Sequence, residues 1–433
     1  VLYVVAGIVV GVILVVVLLA VSATAPLERL SMPRDVPPPQ DLAFLDQVSL
    51  TSDIRFSDGN EVELVLDGRE TFARLFADLR AARESITLHL YFCQPGTVAD
   101  ELRTILIDRA RAGVRVLFLD DAFGSDLTDS YFEPMRDAGV DARTFRPLRW
   151  WTVHRAHERS HARIVVIDGV IGYTGGFGIA DLWSARGDGE EPGWRDTNVR
   201  VTGPVVATFQ AAFAAGWAET AGELLMGPLF YPGIHERQSS YGLDPRRPVE
   251  PVVAGLLHSR PDIGFSSAER LLAFTIVAAR ERLYIANAYF VPGDQFRELL
   301  IAAARRGVDV RILAPSDNTD IPLVRYAGRG MYQELMSGGV RIYEYQPAMM
   351  HAKTLVVDGI WSIVGTLNFD NRSLALNEET SLLVQDAGIG ARMEEIFLDD
   401  LRHAIEITPR NFARRPRTER VKEFIAVRGA RLL

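Results

Sequence analysis

The sequence predicts an α/β protein built twice over. Each half is a mixed β-sheet flanked by helices, the two packing about a pseudo-twofold axis as a bilobed molecule behind one N-terminal transmembrane helix. Three observations predict this. The chain carries a second, diverged copy of itself. In both copies short apolar runs such as "VRVLFL" and "VDVRIL" follow Ala- and Arg-rich helical stretches that end in glycine, the pattern of βαβ units. The opening stretch, Val1 to Val21, has no charge.

Taken in order, residues 1–25 read as a membrane anchor. At about 1.5 Å per residue the uncharged run extends roughly 32 Å as a helix, enough to cross a bilayer. The "ATA" at Ala23 to Ala25 resembles a signal-peptide cleavage site, but the segment is longer than a signal core and lacks a basic start, which favours an uncleaved anchor. Arg29 and Arg34 follow the span, so the positive-inside tendency favours a single-pass protein with the rest of the chain on the cytoplasmic side. Residues 26–60 read as a stiff Pro-rich linker and first strand region, and 61–225 as repeat 1. Residues 226–262 read as a connection, 263–408 as repeat 2, and 409–433 as a basic tail. That tail either lies on anionic headgroups or is a solvated terminus.

Composition narrows the function. At 433 residues and 48% hydrophobic content the chain can bury a large core, and a net charge of −9 speaks against a nucleic-acid partner. A single cysteine, Cys93, rules out an internal disulfide and a Cys-based zinc site, and its apolar neighbours make it an inert packing thiol. Of 47 Lys and Arg only Lys353 and Lys422 are lysines. Against that bias, a lysine inside a motif marks a place that needs a compact ammonium.

The two copies correspond run by run. "ARESITLHLYF" from Ala82 answers "ARERLYIANAYF" from Ala279, and "DRARAGVRVLFLDD" from Asp108 answers "AAARRGVDVRILAP" from Ala302. "AGVDARTFRP" answers "GGVRIYEYQP", "SHARIVVIDGVIGYTGGFG" answers "MHAKTLVVDGIWSIVGTLN", and "RDTNVRVTG" answers "EETSLLVQD". Each half therefore reads strand, helix, strand, helix, strand, motif strand, turn, helix and a further strand.

The motif pair carries the chemistry. In a strand, period two places His351 and Lys353 on one face, as it does His161 and Arg163. An imidazole that attacks or protonates, beside a cation that neutralises oxygen charge, suits a phosphate. "GTLN" adds Thr366 and Asn368 as donors beside a close backbone turn. One such histidine is usually a structural residue; two in register within a duplication are a site. "HRAHERSH" also spaces His154, His157 and His161 as a metal helix might, but no cysteine joins them, and no metal is expected. Trp150, Trp151 and Trp183 read as aromatic core, with a lipid entrance as the alternative.

With "YFVPGDQFRELLIAAARRGVDVRIL", "EYQPAMMHAKTLVVDG", "VGTLNFDNRSLALNEE" and "TGGFGIADLW…GWRDTNVRVTGP", the chain resembles the phospholipase D superfamily, whose mark is a doubled His-x-Lys-x4-Asp motif. Within it the chain looks like the bacterial cardiolipin synthase branch, over about Arg74 to Ile407. The resemblance implies tandem phospholipase D-type repeats and a two-step phosphatidyl transfer without metal or other cofactor. His161 would be the nucleophile and His351 the acid/base. It implies a phosphate held by Lys353, Arg163, Thr366 and Asn368. Asp168 and Asp358 complete the motifs and read as braces for them. An acidic residue on the next strand is expected to orient each imidazole. The repeats offer Asp196 and Glu379, whose bland alternative is a surface salt bridge.

The motif departs from its family twice, with Arg163 in place of lysine and Gly178 in place of asparagine. The implied substrate is a phospholipid in a bilayer, phosphatidylglycerol first, with cardiolipin and glycerol as products and no obligatory protein partner. A hydrolase, a transferase to another alcohol, a nuclease of the same superfamily, or a weak lipid-binding scaffold are the alternatives.

Overall fold

The structure, a computed structural model, describes residues 35–147, 159–184, 192–233, 252–261 and 264–429, together with Gly7, Gly11, Ser31 and Pro33. The expected anchor lies outside them except for two glycines, as do most of the linker up to Arg34 and Trp150, Trp151, His154 and His157. Among the described residues no helix is long and apolar enough to cross a membrane. Backbone contacts set Val1–Pro33 apart from Arg34–Leu433, and the second unit carries every element below.

In chain order these are α1 (Leu42–Ser52), β1 (Phe56–Leu66), α2 (Asp67–Ala81), β2 (Ser85–Leu90), α3 (Thr97–Arg111), β3 (Arg115–Asp121), α4 (Asp129–Asp137) and β4 (Asp141–Phe145). The first half closes with β5 (Ile164–Ile167), β6 (Ile171–Gly175), β7 (Thr197–Thr202) and α5 (Val206–Ala221). The second opens with β8 (Val252–Ser259), α6 (Ser267–Ala278), β9 (Arg282–Asn287), α7 (Asp294–Arg305) and β10 (Asp309–Pro315). It continues with α8 (Pro322–Arg329), α9 (Tyr332–Ser337), β11 (Arg341–Tyr345), β12 (Lys353–Val357), β13 (Trp361–Gly365) and β14 (Glu379–Gln385). Last come α10 (Ala387–Arg402), β15 (Ala404–Ile407), α11 (Pro409–Ala413) and α12 (Arg417–Gly429).

All strands join one mixed sheet in the order β15-β11-β10-β9-β12-β13-β14-β8-β1-β7-β6-β5-β2-β3-β4. Outward from the β8–β1 pair the two sides have the same order, and β15 is added at one edge. In each half only the outer three strands run parallel, β2–β3–β4 and β9–β10–β11. The halves meet through antiparallel β1 and β8, where Phe56 faces Gly255. Local sequence explains the repeats' shape: α3 and α7 each run into a glycine, Gly113 (φ +94°) and Gly307 (φ +97°), which turns the chain into the next strand in a conformation other residues resist. Strands β2, β5, β6 and β7 are buried along their whole length, which is why β5 reads as an unbroken apolar run, while polar residues such as Thr87, His89 and Asn198 are buried with the others. One apolar cluster crosses the junction, with Val199, Val201 and Phe209 against Leu256, Val364 and Leu382.

Four segments differ from the reading of the sequence. Residues 26–60 hold helix α1, capped by Asp41, whose side chain accepts from the Ala43 amide at 2.9 Å. The motif strand in each half is a hairpin, β5–β6 and β12–β13, because the glycine-rich turn after each motif aspartate folds straight back. Residues 226–262 contain β8, which pairs with β14 as β1 pairs with β7. The basic tail forms helices α11 and α12, and Ala426 of α12 is buried with Val324 and Ala327 of α8, while most of the tail's other residues are exposed.

Candidate active site

His161 and His351 stand just before β5 and β12, and the junction of the halves brings them to one place. Two short parallel bridges do this. The His161 amide donates to the Glu378 carbonyl at 2.8 Å, and the Glu378 amide to the Arg159 carbonyl at 2.8 Å. Symmetrically, the His351 amide donates to the Arg195 carbonyl at 2.7 Å, and the Arg195 amide to the Met349 carbonyl at 2.8 Å. Each bridge sets the next residue of the crossing strand beside the opposite imidazole. His161 Nδ1 lies 2.9 Å from Glu379 Oε2, and His351 Nδ1 lies 2.8 Å from Asp196 Oδ2. The expected carboxylates are therefore in place, but exchanged: each half orients the other half's histidine. Both pairs are buried, so neither is the surface salt bridge of the alternative reading.

With Nδ1–H committed to a carboxylate, Nε2 carries the free lone pair of each ring. Cations sit beside the rings: Arg163 Nη1 is 3.2 Å from His161 Nε2, and Lys353 Nζ is 2.8 Å from His351 Nε2 and 3.0 Å from its Nδ1. Burial lowers His161 to about 4, with Glu379 pulling it up and Arg163 and Lys353 pushing it down. Burial and the Lys353 charge lower His351 to about 3, against the hydrogen bond that its Nδ1–H donates to Asp196. Burial also lowers Lys353 to about 7, opposed mainly by Asp196. For Asp196 burial acts upward, yet the hydrogen bond and charge of His351 and the charge of Lys353 hold it down at about 2. Each cation thus acts on both histidines, which makes this one electrostatic site.

The two carboxylates are held by different donors. Glu379 accepts from Thr366 Oγ1, from Ser373 Oγ at 2.6 Å and from Asn377 Nδ2 at 3.4 Å. Asp196 accepts from Trp183 Nε1 at 2.8 Å and from the Thr197 amide at 2.8 Å. This corrects the place expected for Thr366, whose hydroxyl is spent on Glu379 rather than turned toward a phosphate. Asn368 is buried, and its Oδ1, an acceptor, has no hydrogen-bond partner among the described residues.

Asp168 and Asp358 are not brought to the imidazoles. They sit at the far ends of β5 and β12, each at φ +52°, and do identical work. Asp168 accepts from the amides of Arg83, Glu84 and Ser85 at 2.8–2.9 Å, and Asp358 from those of Arg280, Glu281 and Arg282 at 2.8–2.9 Å. They fix the start of β2 and β9 and act on the site only by anchoring the motif strands. Cys93 is buried, with burial raising its thiol well above the ordinary range, as an inert packing residue should be.

Sequence reasoning missed Tyr91, Tyr289 and Trp194 as aromatic walls of the site; Trp183, read as core, is buried and serves as a wall as well. Tyr91 meets the His161 ring edge-on at 4.9 Å, while Trp183 and Trp194 meet His351 at 5.2 and 5.1 Å. Arg163 and Lys353 each lie 6.0 Å from a tyrosine ring, Tyr91 and Tyr289. The signal was the Tyr of the two "YF" pairs that open the repeat correspondence.

A duplicated sheet whose halves exchange carboxylates to pair two His–cation motifs defines a protein of the phospholipase D superfamily. The family profile "Cardiolipin synthase, PLD-like domain" matches residues 272–401. The chain is 35% identical to the cardiolipin synthase of Geobacillus kaustophilus (strain HTA426), over 85% of this chain and 71% of that one. It is 34% identical to cardiolipin synthase A of Pseudomonas fluorescens (strain SBW25), over 86% of this chain and 74% of that one. The chain belongs to the cardiolipin synthase family. Its fold is shared with a solved phosphatidylserine synthase of Haemophilus influenzae Rd KW20, at TM-score 0.66 and 13% identity over 89% of this chain and 98% of that one. A polyphosphate kinase from Porphyromonas gingivalis shares it more distantly, at TM-score 0.54 and 12% identity over 86% and 53%.

Proposed function

We propose that the chain is a membrane-anchored phosphatidyltransferase that makes cardiolipin and glycerol from two molecules of phosphatidylglycerol. The observation that carries this reading is the pair of exchanged imidazole–carboxylate contacts, with Arg163 and Lys353 beside the two Nε2 atoms. The tandem halves act as pseudo-twofold partners in one chain, so one chain holds one complete site and needs no protein partner. The uncharged run at Val1 to Val21 is the anchor in a bacterial inner membrane, with the catalytic part on the cytoplasmic side as Arg29 and Arg34 favour.

In this reading His161 Nε2 attacks the phosphorus of the first lipid. A P–N bond forms, the P–O bond to the glycerol headgroup breaks, and His351 gives its proton to the departing oxygen. The headgroup hydroxyl of a second lipid then loses its proton to His351 and attacks the same phosphorus, breaking the P–N bond. Arg163, Lys353 and Asn368 hold the phosphoryl oxygens as charge grows on them. The forked guanidinium of Arg163 offers several donors where the family's lysine offers one centre. Burial and the Lys353 charge favour the neutral ring of His351. The arriving phosphodiester anion offsets the two cations and lets it take up the proton it must deliver.

The test incubates the full chain with phosphatidylglycerol vesicles and resolves the products, with His161→Ala and His351→Ala alongside. Cardiolipin plus glycerol is expected, lost in both variants and unchanged by a chelator. Phosphatidic acid would mean a hydrolase, no product a scaffold, and chelator sensitivity would sink the metal-free route.

A further inference from the structure

Exposed apolar side chains are ordinary when scattered, but a set of them gathered at one place on a fold marks a contact surface. Helix α12 turns Ala426 and Glu423 inward and Val421, Phe424 and Ile425 outward, the last two being 59% and 62% exposed. A solvent-facing helix normally reverses that pattern. Arg417 and Arg428 lie on the same outer face, at i+4 and i+7 spacings, and Arg428 covers the Phe424 ring at 3.4 Å. From Pro409 to Gly429 the chain has seven basic residues and two acidic ones, in a protein whose net charge is −9. One of those acids, Glu423, is buried against Arg415 at 2.8 Å, and the other, Glu419, pairs with Lys422 at 3.0 Å. Among the described residues no ion pair engages Arg410, Arg414 or Arg417.

A chain of contacts links this helix to the site. Lys422 of α12 donates to the Tyr326 hydroxyl of α8 at 2.9 Å. The loop before α8 exposes Ile321, and the helix start exposes Leu323. Their neighbour Asp320 accepts from the Tyr289 hydroxyl at 2.5 Å, and the Tyr289 ring faces Lys353. In the other half the matching loop, after β3, exposes Phe123, on which Arg159 stacks at 5.0 Å, two residues before His161. Each half thus exposes apolar side chains within a few contacts of the site, and in the second half a cationic helix packs beside them.

We propose that this face is a docking surface for an anionic lipid bilayer, which seats the mouth of the site against the headgroups. The proposal rests on the phospholipid reading above. Phe424, Ile425, Ile321, Leu323 and Phe123 enter the headgroup–acyl boundary while the arginines meet phosphates, as in an interfacial amphipathic helix. A protein partner or a second copy would be met equally by the apolar residues. The unpaired arginines of an otherwise acidic chain single out the anionic lipid surface.

The test labels full-length Phe424→Cys with an environment-sensitive fluorophore, the native Cys93 being buried. Glu281→Cys, at the far end beside Asp358, serves as the control. With vesicles rich in phosphatidylglycerol the label at 424 shifts to the blue and is quenched by brominated acyl chains, the label at 281 is unaffected, and added salt or phosphatidylcholine vesicles weaken the response. No shift at 424, an equal shift at 281, an equal response on phosphatidylcholine, or a shift that appears without vesicles as protein concentration rises would each overturn the proposal. In parallel, Phe424→Asp with Ile425→Asp lowers turnover of vesicle lipid about ten-fold or more but leaves turnover of monomeric short-chain phosphatidylglycerol unchanged. Equal loss on both substrates, or loss on neither, would count against it. Because the label reports without turnover, an inactive but inserting protein would reject the proposed reaction and leave the docking surface standing.

Discussion

Gly178 stands where the second motif has Asn368, and the reason is the indole of Trp183. A Cβ at 178 would lie 2.8 Å from the Phe92 carbonyl oxygen and 2.8 Å from the Trp183 ring. Two residues earlier, a Cβ at Gly176, the counterpart of Thr366, would lie 2.3 Å from Asp196 Oδ1. The glycines make room for a tryptophan that donates to Asp196, the role Thr366 plays for Glu379 in the other half. The first motif is thus rebuilt around another donor rather than decayed. Gly178→Asn, which restores the family residue, is expected to destabilise the protein by about 1–3 kcal/mol from overpacking and not to raise activity. Denaturant unfolding and a product assay check both; a faster, equally stable variant would show that the site lacks the donor after all.

At the scale of elements, the sequence made the repeats legible because helices, strands and motifs obey local periodicities that duplication preserves. Strands β2, β3, β9 and β10 could be read from their apolar runs, and His161, His351, Lys353, Asp196 and Glu379 from their register. The exchange of carboxylates could not be read, since it depends on how two copies of one unit face each other. Nor could α1 or β8, which lie outside the copied runs, or Trp183, whose partner is a carboxylate thirteen residues on. Two ion pairs of opposite sense, one buried and one half-buried, lock the exchange. Arg195, of the first half, donates to Asp400 of α10 at 2.7 Å, while Glu378, of the second, accepts from Arg146 at 2.6 Å. Each residue immediately precedes an orienting carboxylate. Glu379→Gln is therefore expected to disturb the first-half histidine from a position in the second half. Turnover should fall by about 10^2–10^4-fold, the scale at which a lost carboxylate leaves an imidazole in the wrong tautomer. Nitrogen NMR of the imidazoles checks the direction: His161 resonances should move and those of His351 should stay. The reverse pattern would contradict the exchange.

At the scale of the whole molecule, one continuous sheet and one apolar cluster across the junction favour a single unfolding transition, whose stability is then coupled to the charges buried at the junction. Both histidines titrate below their ordinary 6.5, at about 4 and about 3. The unfolded chain therefore binds more protons than the folded one between about 6.5 and those values, so their contribution to stability is complete above about 6.5 and is lost as pH falls. Asp196, held at about 2 against an ordinary 3.8, adds a further loss below about 4. Asp120 and Asp370 work in the opposite sense: burial raises each to about 7, so their contribution is present below about 4 and is lost as pH rises toward 7. Wild-type melting alone would mix these effects, but a difference separates them. His161→Ala removes one proton acceptor and leaves Asp120 and Asp370 in place. The stability of wild type minus that of His161→Ala should shrink as pH drops from 6.5 to 4, and should be flat between 7 and 8. Adding inorganic phosphate should flatten the acid limb in the wild type, because an anion between Arg163 and Lys353 favours the protonated rings. A difference that grows on acidification would mean that Glu379 keeps His161 charged in the empty site, and that burial is the weaker force there.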